Sequence, residues 1–308
     1  MEKVLITGAS GFIGRRVVAA AAQRPDWTVY ALSSGRRQLP EAEFPWSGTV
    51  HPVQADLYQP EQIDALIGEI RPEVVIHLAW EVDTSGFASS QSNLQWLESS
   101  LRLLRDFAAA GGRRFVFGGT CDEYRCWDGH FSEYQVPRKR TVYGESKAVF
   151  GAVGESFCRN AGIDFVSAKI FSVYGEHDRP FRAVPSAILS FLAGKPLVCR
   201  TPDSAWDYIH VEDVACAFIQ IAASAYCGAV NVGTGRPCLM REVFTQIAEK
   251  MGCQELLSFE EGADPGTIVV ADGTILREKI GYQCRISLSE GLDRTIAWWK
   301  NEQKEGRL

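Results

Sequence analysis

The chain has 308 residues, of which 46% are hydrophobic and 23% charged, enough apolar material for a large buried core and too much for a disordered chain. Its net charge of −6 excludes the overall basic pull of a nucleic-acid or anionic-membrane binder. Nine cysteines scatter without a CxxC pair, no apolar run is long enough to span a bilayer, and the first strand starts at once, so a cytoplasmic protein with reduced thiols and no membrane or nucleic-acid partner is expected.

In chain order, "KVLITG" is a short β-branched run, predicted as a strand and followed by a glycine turn and a helix over 13–23. "TVYALS" and "VHPVQADL" predict a second and a third strand, the third ending at Asp56. "PEQIDALIGEI" places Ile63, Leu66, Ile67 and Ile70 on one helical face. "EVVIHLAW" predicts a buried strand, 93–110 a long helix with a leucine stripe, and "RRFVFGG" the next strand. This alternation predicts an α/β fold with a Rossmann-type, doubly wound parallel sheet. After Lys169 the pattern loosens: "YGEHDRPFRAVP" reads as a loop, "WDYIHVEDVACAFIQIA" has a helical period, and "GAVNVGTG" reads as a strand and turn.

"TGASGFIG" sets Gly8, Gly11 and Gly14 between a strand and a helix start. Gly8 permits a tight turn, Gly11 a close approach of pyrophosphate, and Gly14 tight helix–sheet packing, while the helix N-terminus offers free N–H groups to phosphate. A dinucleotide site is expected here. The expected boundaries are 1–170 plus 206–235 for the dinucleotide-binding domain. A smaller, discontinuous α/β substrate-binding region takes 171–205 plus 236–308. Asp56 ends the third strand, where it can meet an adenine amino group or cap the next helix.

"TVYGESK" carries Tyr143 and Lys147, four residues apart and so on one helical face. A neighbouring ammonium stabilises a phenolate and lowers the phenol pKa, which suits Tyr143 to proton exchange with a carbinol oxygen. Thr120 closes the strand "FVFGGT" at the end of the sheet that faces ligand, in reach of the same oxygen. Five histidines form no ligand pair at helical or loop spacing, so no metal is expected, and His77 and His210 read as buried structural residues.

These segments together resemble the extended short-chain dehydrogenase/reductases, the nucleotide-sugar epimerase/dehydratase/4-ketoreductase superfamily. The resemblance rests on "TGASGFIG", "ADL", "HLAW", Asn93, "GGTCDEY", "YGESK", "KIFSVYG", "DYIHVEDVA" and "NVGTG", in family order. It implies a catalytic Thr120, Tyr143 and Lys147, with hydride transfer at nicotinamide C4. It implies cofactor contacts from Ser10, Phe12, Ile13, Leu57, Leu78, Ala79 and Ile170 as well as from the glycines, Asp56, Tyr143 and Lys147. It also implies a homodimer built on the helices at 93–110 and 143–161.

Dehydratases of this superfamily follow the strand-end Thr with Asp-Glu. Here Cys121 intervenes and Asp122 and Glu123 are displaced by one, an order that resembles a 4-ketoreductase branch. Both acids are candidate substrate contacts. The arginine that commonly precedes "DYIHV" to bind diphosphate is replaced by Trp206, which leaves Arg179, Arg182 and Arg200 as candidate replacements. Finally, "VYALSSGRRQ" lacks the acid that binds an NAD ribose. Ser33, Ser34, Arg36 and Arg37 would instead accept a 2′-phosphate, so NADP(H) is expected over NAD(H). The resulting expectation is an NADPH-dependent reductase of a keto group, at C4, on a nucleotide-activated deoxysugar. An NAD-dependent nucleotide-sugar 4-epimerase, a 4,6-dehydratase and a non-catalytic cofactor-binding protein are the alternatives.

Overall fold

The computed structural model describes residues 1–36, 39, 48–82, 85–124, 128–135, 141–260, 262 and 266–308. Among them, seven strands form one parallel sheet: β1 (Glu2–Thr7), β2 (Trp27–Ser33), β3 (Val50–Gln54), β4 (Val74–His77), β5 (Arg114–Thr120), β6 (Asp164–Ile170) and β7 (Gly228–Val232). Their spatial order is β7-β6-β5-β4-β1-β2-β3, so the winding reverses between β1 and β4. A reversal of this kind opens a crevice at the carboxyl ends of the strands.

Alternation along each strand explains the layers. Val4 and Ile6 of β1 face one side and Leu5 the other. On β5, Val116 goes to the first side, Phe115 and Phe117 to the second. Helices α1 (Phe12–Ala21) and α6 (Val211–Ala223) cover the first face. Helices α2 (Pro60–Ile70), α3 (Ser92–Ala109) and α4 (Val142–Ala161) cover the second. Each fully buried Phe or Ile contributes about 2 kcal/mol, and both faces are filled with them.

A smaller region carries α5 (Ala183–Leu192), α7 (Met240–Met251) and the helix Leu288–Lys304 around their own apolar cluster. Beside it, the short strands Cys238–Leu239, Ala205–Trp206, Ile268–Ala271 and Asp128–Phe131 form a mixed sheet. Asp207 ties this region to the main sheet. It is completely buried and accepts from Thr234 N–H at 2.8 Å, Gly235 N–H at 2.9 Å and Ala271 N–H at 3.1 Å.

Two local expectations shift. The third strand stops at Gln54, leaving Asp56 in the following turn. "WDYIH" does not extend α6: Ala205–Trp206 and Tyr208–His210 are strands, and the helix starts at Val211, where the His210 ring accepts the Glu212 N–H. The β-branched and aromatic side chains that give this stretch its apparent helical period pack on sheet neighbours instead.

Candidate active site

The turn after β1 brings two backbones together. Gly8 has φ +69°, and a side chain there would meet Ala79 N at 2.8 Å. A Cβ on Gly14 would lie 2.0 Å from Gly8 O, so only glycine lets α1 start directly over the turn. The first-turn N–H groups of α1 point at the same space, with no acid in that turn to compete for them.

From this cradle a cavity of about 690 Å³ runs along the carboxyl ends of the strands to Tyr143, Lys147 and the loop carrying Arg179 and Arg182. Every cofactor position named from the sequence lines it except Arg37, which lies outside the described residues. Thr120, Tyr143 and Lys147 line it too, as do Asp122, Arg179 and Arg182. The remaining two substrate candidates do not. Arg200 is exposed and away from the wall. Glu123 is 2% exposed, accepting the Thr120 N–H at 2.9 Å and the Lys169 ammonium at 3.0 Å. Its carboxylate faces the core because the Cys121–Glu123 turn folds back on the strand end.

That turn sets Thr120. Its Oγ1 accepts the Asp122 N–H at 3.3 Å, which leaves the hydroxyl proton to donate into the cavity. Tyr143 comes close because α4, capped by Thr141 through the Gly144 N–H at 3.0 Å, passes hard against the same turn. A Cβ on Gly144 would sit 2.4 Å from Asp122 O, so the glycine after Tyr143 is what permits the approach.

The electrostatics differ from the sequence expectation. Burial pushes the Tyr143 phenol up, Asp122 adds to this, and a hydrogen bond from Thr120 opposes it. Lys147 does not reverse the sign, because its ammonium donates to the Gly118 carbonyl and stands 5.4 Å from the Tyr143 ring centre. Burial also lowers Lys147, to about 7, against the pull of Glu123 and Asp122. Burial raises the Cys121 thiol, which lines the cavity as a neutral group.

Several wall residues escape the sequence reading. Tyr58, Trp80 and Trp96 all line the cavity. Tyr58 packs on Trp96 with centres 4.8 Å apart, and Trp96 stacks on Trp80 at 6.3 Å. The one signal available was the tryptophan that ends "HLAW", where the strand reading took it for ordinary core. At the opposite end, Arg36 pairs with Asp56 at 3.1 Å and lies over the Tyr58 ring. Asp56 also accepts the Tyr58 N–H at 3.0 Å, while the N-cap of α2 is Gln59, so it pins the turn rather than capping the helix.

Residues 4–233 match the NAD dependent epimerase/dehydratase family. The UDP-glucose 4-epimerase of Mycolicibacterium smegmatis is 29% identical across 98% of this chain and 100% of its own length. That of Azospirillum brasilense is 28% identical across 99% and 94%. The solved UDP-glucose 4-epimerase of Thermus thermophilus, a complex with NAD, is 25% identical at a TM-score of 0.81, covering 97% of this chain and 99% of that one.

These findings correct two expectations. An NADPH-dependent ketoreductase is overturned by end-to-end similarity to epimerases, and an NADP(H) preference by the NAD in the related structure. The physical reason for the second is visible at Arg36: the cation assigned to a 2′-phosphate already has the Asp56 carboxylate as its partner. With its Rossmann-type sheet, glycine cradle and strand-end site, the chain belongs to the NAD dependent epimerase/dehydratase family and is an NAD(P)-binding oxidoreductase of the extended short-chain type.

Proposed function

We propose that the protein is an NAD-dependent nucleotide-sugar 4-epimerase. The observation that carries this reading is the single cavity joining the glycine cradle to Thr120, Tyr143 and Lys147 and then to Arg179, Arg182 and Trp206. The cradle fits a dinucleotide: side chains at Gly8 and Gly14 would strike the backbones of Ala79 and Gly8 and forbid the tight turn that presents the first-turn N–H groups of α1 to phosphate. NAD held there supplies a hydride acceptor and donor.

The chain's own part is to move one proton and to hold the sugar. Tyr143 Oη, as the phenolate, takes the proton of the sugar hydroxyl and returns it; the Thr120 hydroxyl donates to the reacting oxygens and favours that phenolate against burial, and Lys147 stands beside the ring on the same helix face. Arg182 stands at the far wall; its Nε is 3.5 Å from Asp178, a looser contact than the Arg36–Asp56 pair, and a guanidinium has further N–H groups with which to meet the substrate's diphosphate in place of the arginine replaced by Trp206. The sealed Glu123 favours epimerisation over dehydration, because one member of the acid pair a dehydratase uses is withdrawn into an ion pair.

A second copy of the chain is proposed as partner. Val149, Val153 and Phe157 repeat every four residues along α4 and remain exposed, as an unpartnered stripe does when it awaits another helix. The cytoplasmic reading rests on the cysteine pattern, nine residues scattered without a CxxC pair.

The test is turnover of UDP-glucose, UDP-galactose, UDP-glucuronate and UDP-N-acetylglucosamine with NAD⁺, with products resolved by NMR. Inverted C4 stereochemistry without loss of water is expected. Tyr143→Phe should lower the rate at least ~100-fold. No turnover of any nucleotide hexose would overturn the proposal.

A further inference from the structure

Lys147 lies among rings that the proton transfer does not use. Its ammonium is 4.8 Å from the Trp80 ring centre and 5.0 Å from that of Phe117, within the range at which a ring face attracts a cation. Trp80 is itself fixed. Its indole N–H donates to Asn93 Oδ1 at 2.8 Å. Asn93 is completely buried, and its amide donates to the Phe87 and Ser90 carbonyls at 2.7 and 2.9 Å. Phe87 and Trp80 both meet the Tyr143 ring edge-on, at 5.0 and 6.4 Å between centres. One amide side chain therefore holds the Trp80 ring and the backbone of Phe87, the two residues whose rings flank Tyr143, and the Trp80 ring also faces Lys147.

A buried ammonium needs compensation for the water it has lost. Lys147 is 5% exposed. Among the described residues, the charged groups facing it are Asp122 and Glu123 of the turn after β5, and Glu123 is already paired with Lys169. His77 of β4 is held neutral by burial and by Lys147 itself, and Tyr143 is the titratable neighbour on α4. The Gly118 carbonyl accepts one ammonium proton. The π-face of Trp80 is the nearest ring contact.

We propose that Trp80 is a positioning residue for the proton-transfer pair: its indole face, oriented by Asn93, keeps the Lys147 ammonium charged and in place beside Tyr143. The inference rests on the reading of Tyr143 and Lys147 as that pair.

Trace acetylation of the full-length protein with acetic anhydride, from about pH 5 to pH 10, gives the titration midpoint of Lys147 when its peptide is read by mass spectrometry. Losing the ring face destabilises the charged form, so the midpoint should fall. The expected drop is ~0.5–1 pH unit in Trp80→Leu, and less in Trp80→Phe, whose phenyl face holds a cation more weakly. The alkaline limb of turnover should move down with it. An unchanged midpoint in a folded Trp80→Leu protein would overturn the inference. If Trp80→Leu does not fold, Trp80→Phe decides: a small drop supports the inference and no drop overturns it. Tyr143→Phe separates the two readings. If it keeps full turnover, the assignment of the pair fails. If it is inactive while the Trp80 variants keep the wild-type midpoint, only the role of Trp80 fails.

Discussion

The Thr120 N–H donates to Glu123 Oε1 at 2.9 Å, while the other carboxylate oxygen of Glu123 binds the Lys169 ammonium at 3.0 Å. The strand-end hydroxyl of the candidate site is thus anchored from below by a buried ion pair reaching from β5 to β6. Removing one partner strands the other charge. Glu123→Gln should cost about 3 kcal/mol in urea unfolding. The double change Glu123→Gln with Lys169→Met should recover much of that loss, since it removes both charges. If the double variant is no more stable than the single, the pair does not carry the anchoring.

The Arg36–Asp56 pair makes a statement about the cofactor. The protein should bind NAD⁺ more tightly than NADP⁺ in isothermal titration. Asp56→Asn releases Arg36 for a phosphate and should narrow that gap by about two- to fivefold, the size of an exposed ion pair. A gap that stays the same would show that the guanidinium has no part in the choice.

His77 predicts an acid limit to stability. Thr7 Oγ1 accepts the Leu78 and Ala79 N–H groups at 3.1 Å each, so its own proton goes to His77 Nδ1 at 2.8 Å. His77 Nε2–H then donates to Ser100 Oγ at 2.8 Å, and Ser100 donates to the Trp96 carbonyl at 2.6 Å. Every acceptor is used, and the ring is neutral. Burial, with Lys147 nearby, lowers its pKa from 6.5 to about 3. The unfolded chain binds this proton first, so the contribution is complete above pH 6.5 and fades as the pH falls towards 3. The slope is up to about 1.4 kcal/mol per pH unit. Urea unfolding at several pH values should show a shallower dependence in His77→Gln than in the wild type. Equal slopes would assign the acid sensitivity to other groups.

The stripe on α4 predicts the assembly state. Light scattering after size exclusion should give twice the chain mass of 34.1 kDa. Val153→Glu places a charge in the centre of the stripe and should yield monomers that keep the wild-type circular dichroism. A wild-type monomer at micromolar concentration would remove the proposed partner.

The sequence carried the features that are local in the chain. Glycines at Gly8 and Gly14, β-branched runs and helical stripes act within a few residues, so the parallel sheet, its helices and the strand-end Thr120 were legible without a structure. The pairing of Tyr143 with Lys147 was legible for the same reason, since four residues on one helix set their spacing. Arg36 misled because its partner Asp56 comes from the next strand's turn, and the two meet only when β2 and β3 lie side by side.

Glu123 could be read as a substrate contact until Lys169, on β6, was brought beneath it. Trp80 passed for core until α3 supplied Asn93 and α4 supplied Lys147. Composition and periodicity determined which segments become strands and helices, and that a dinucleotide cradle stands at the edge of the crevice. Only the tertiary structure decided which charges face the cavity and which are neutralised beneath it. Partners far apart in sequence set the sign and the reach of a charge, and no local pattern encodes them.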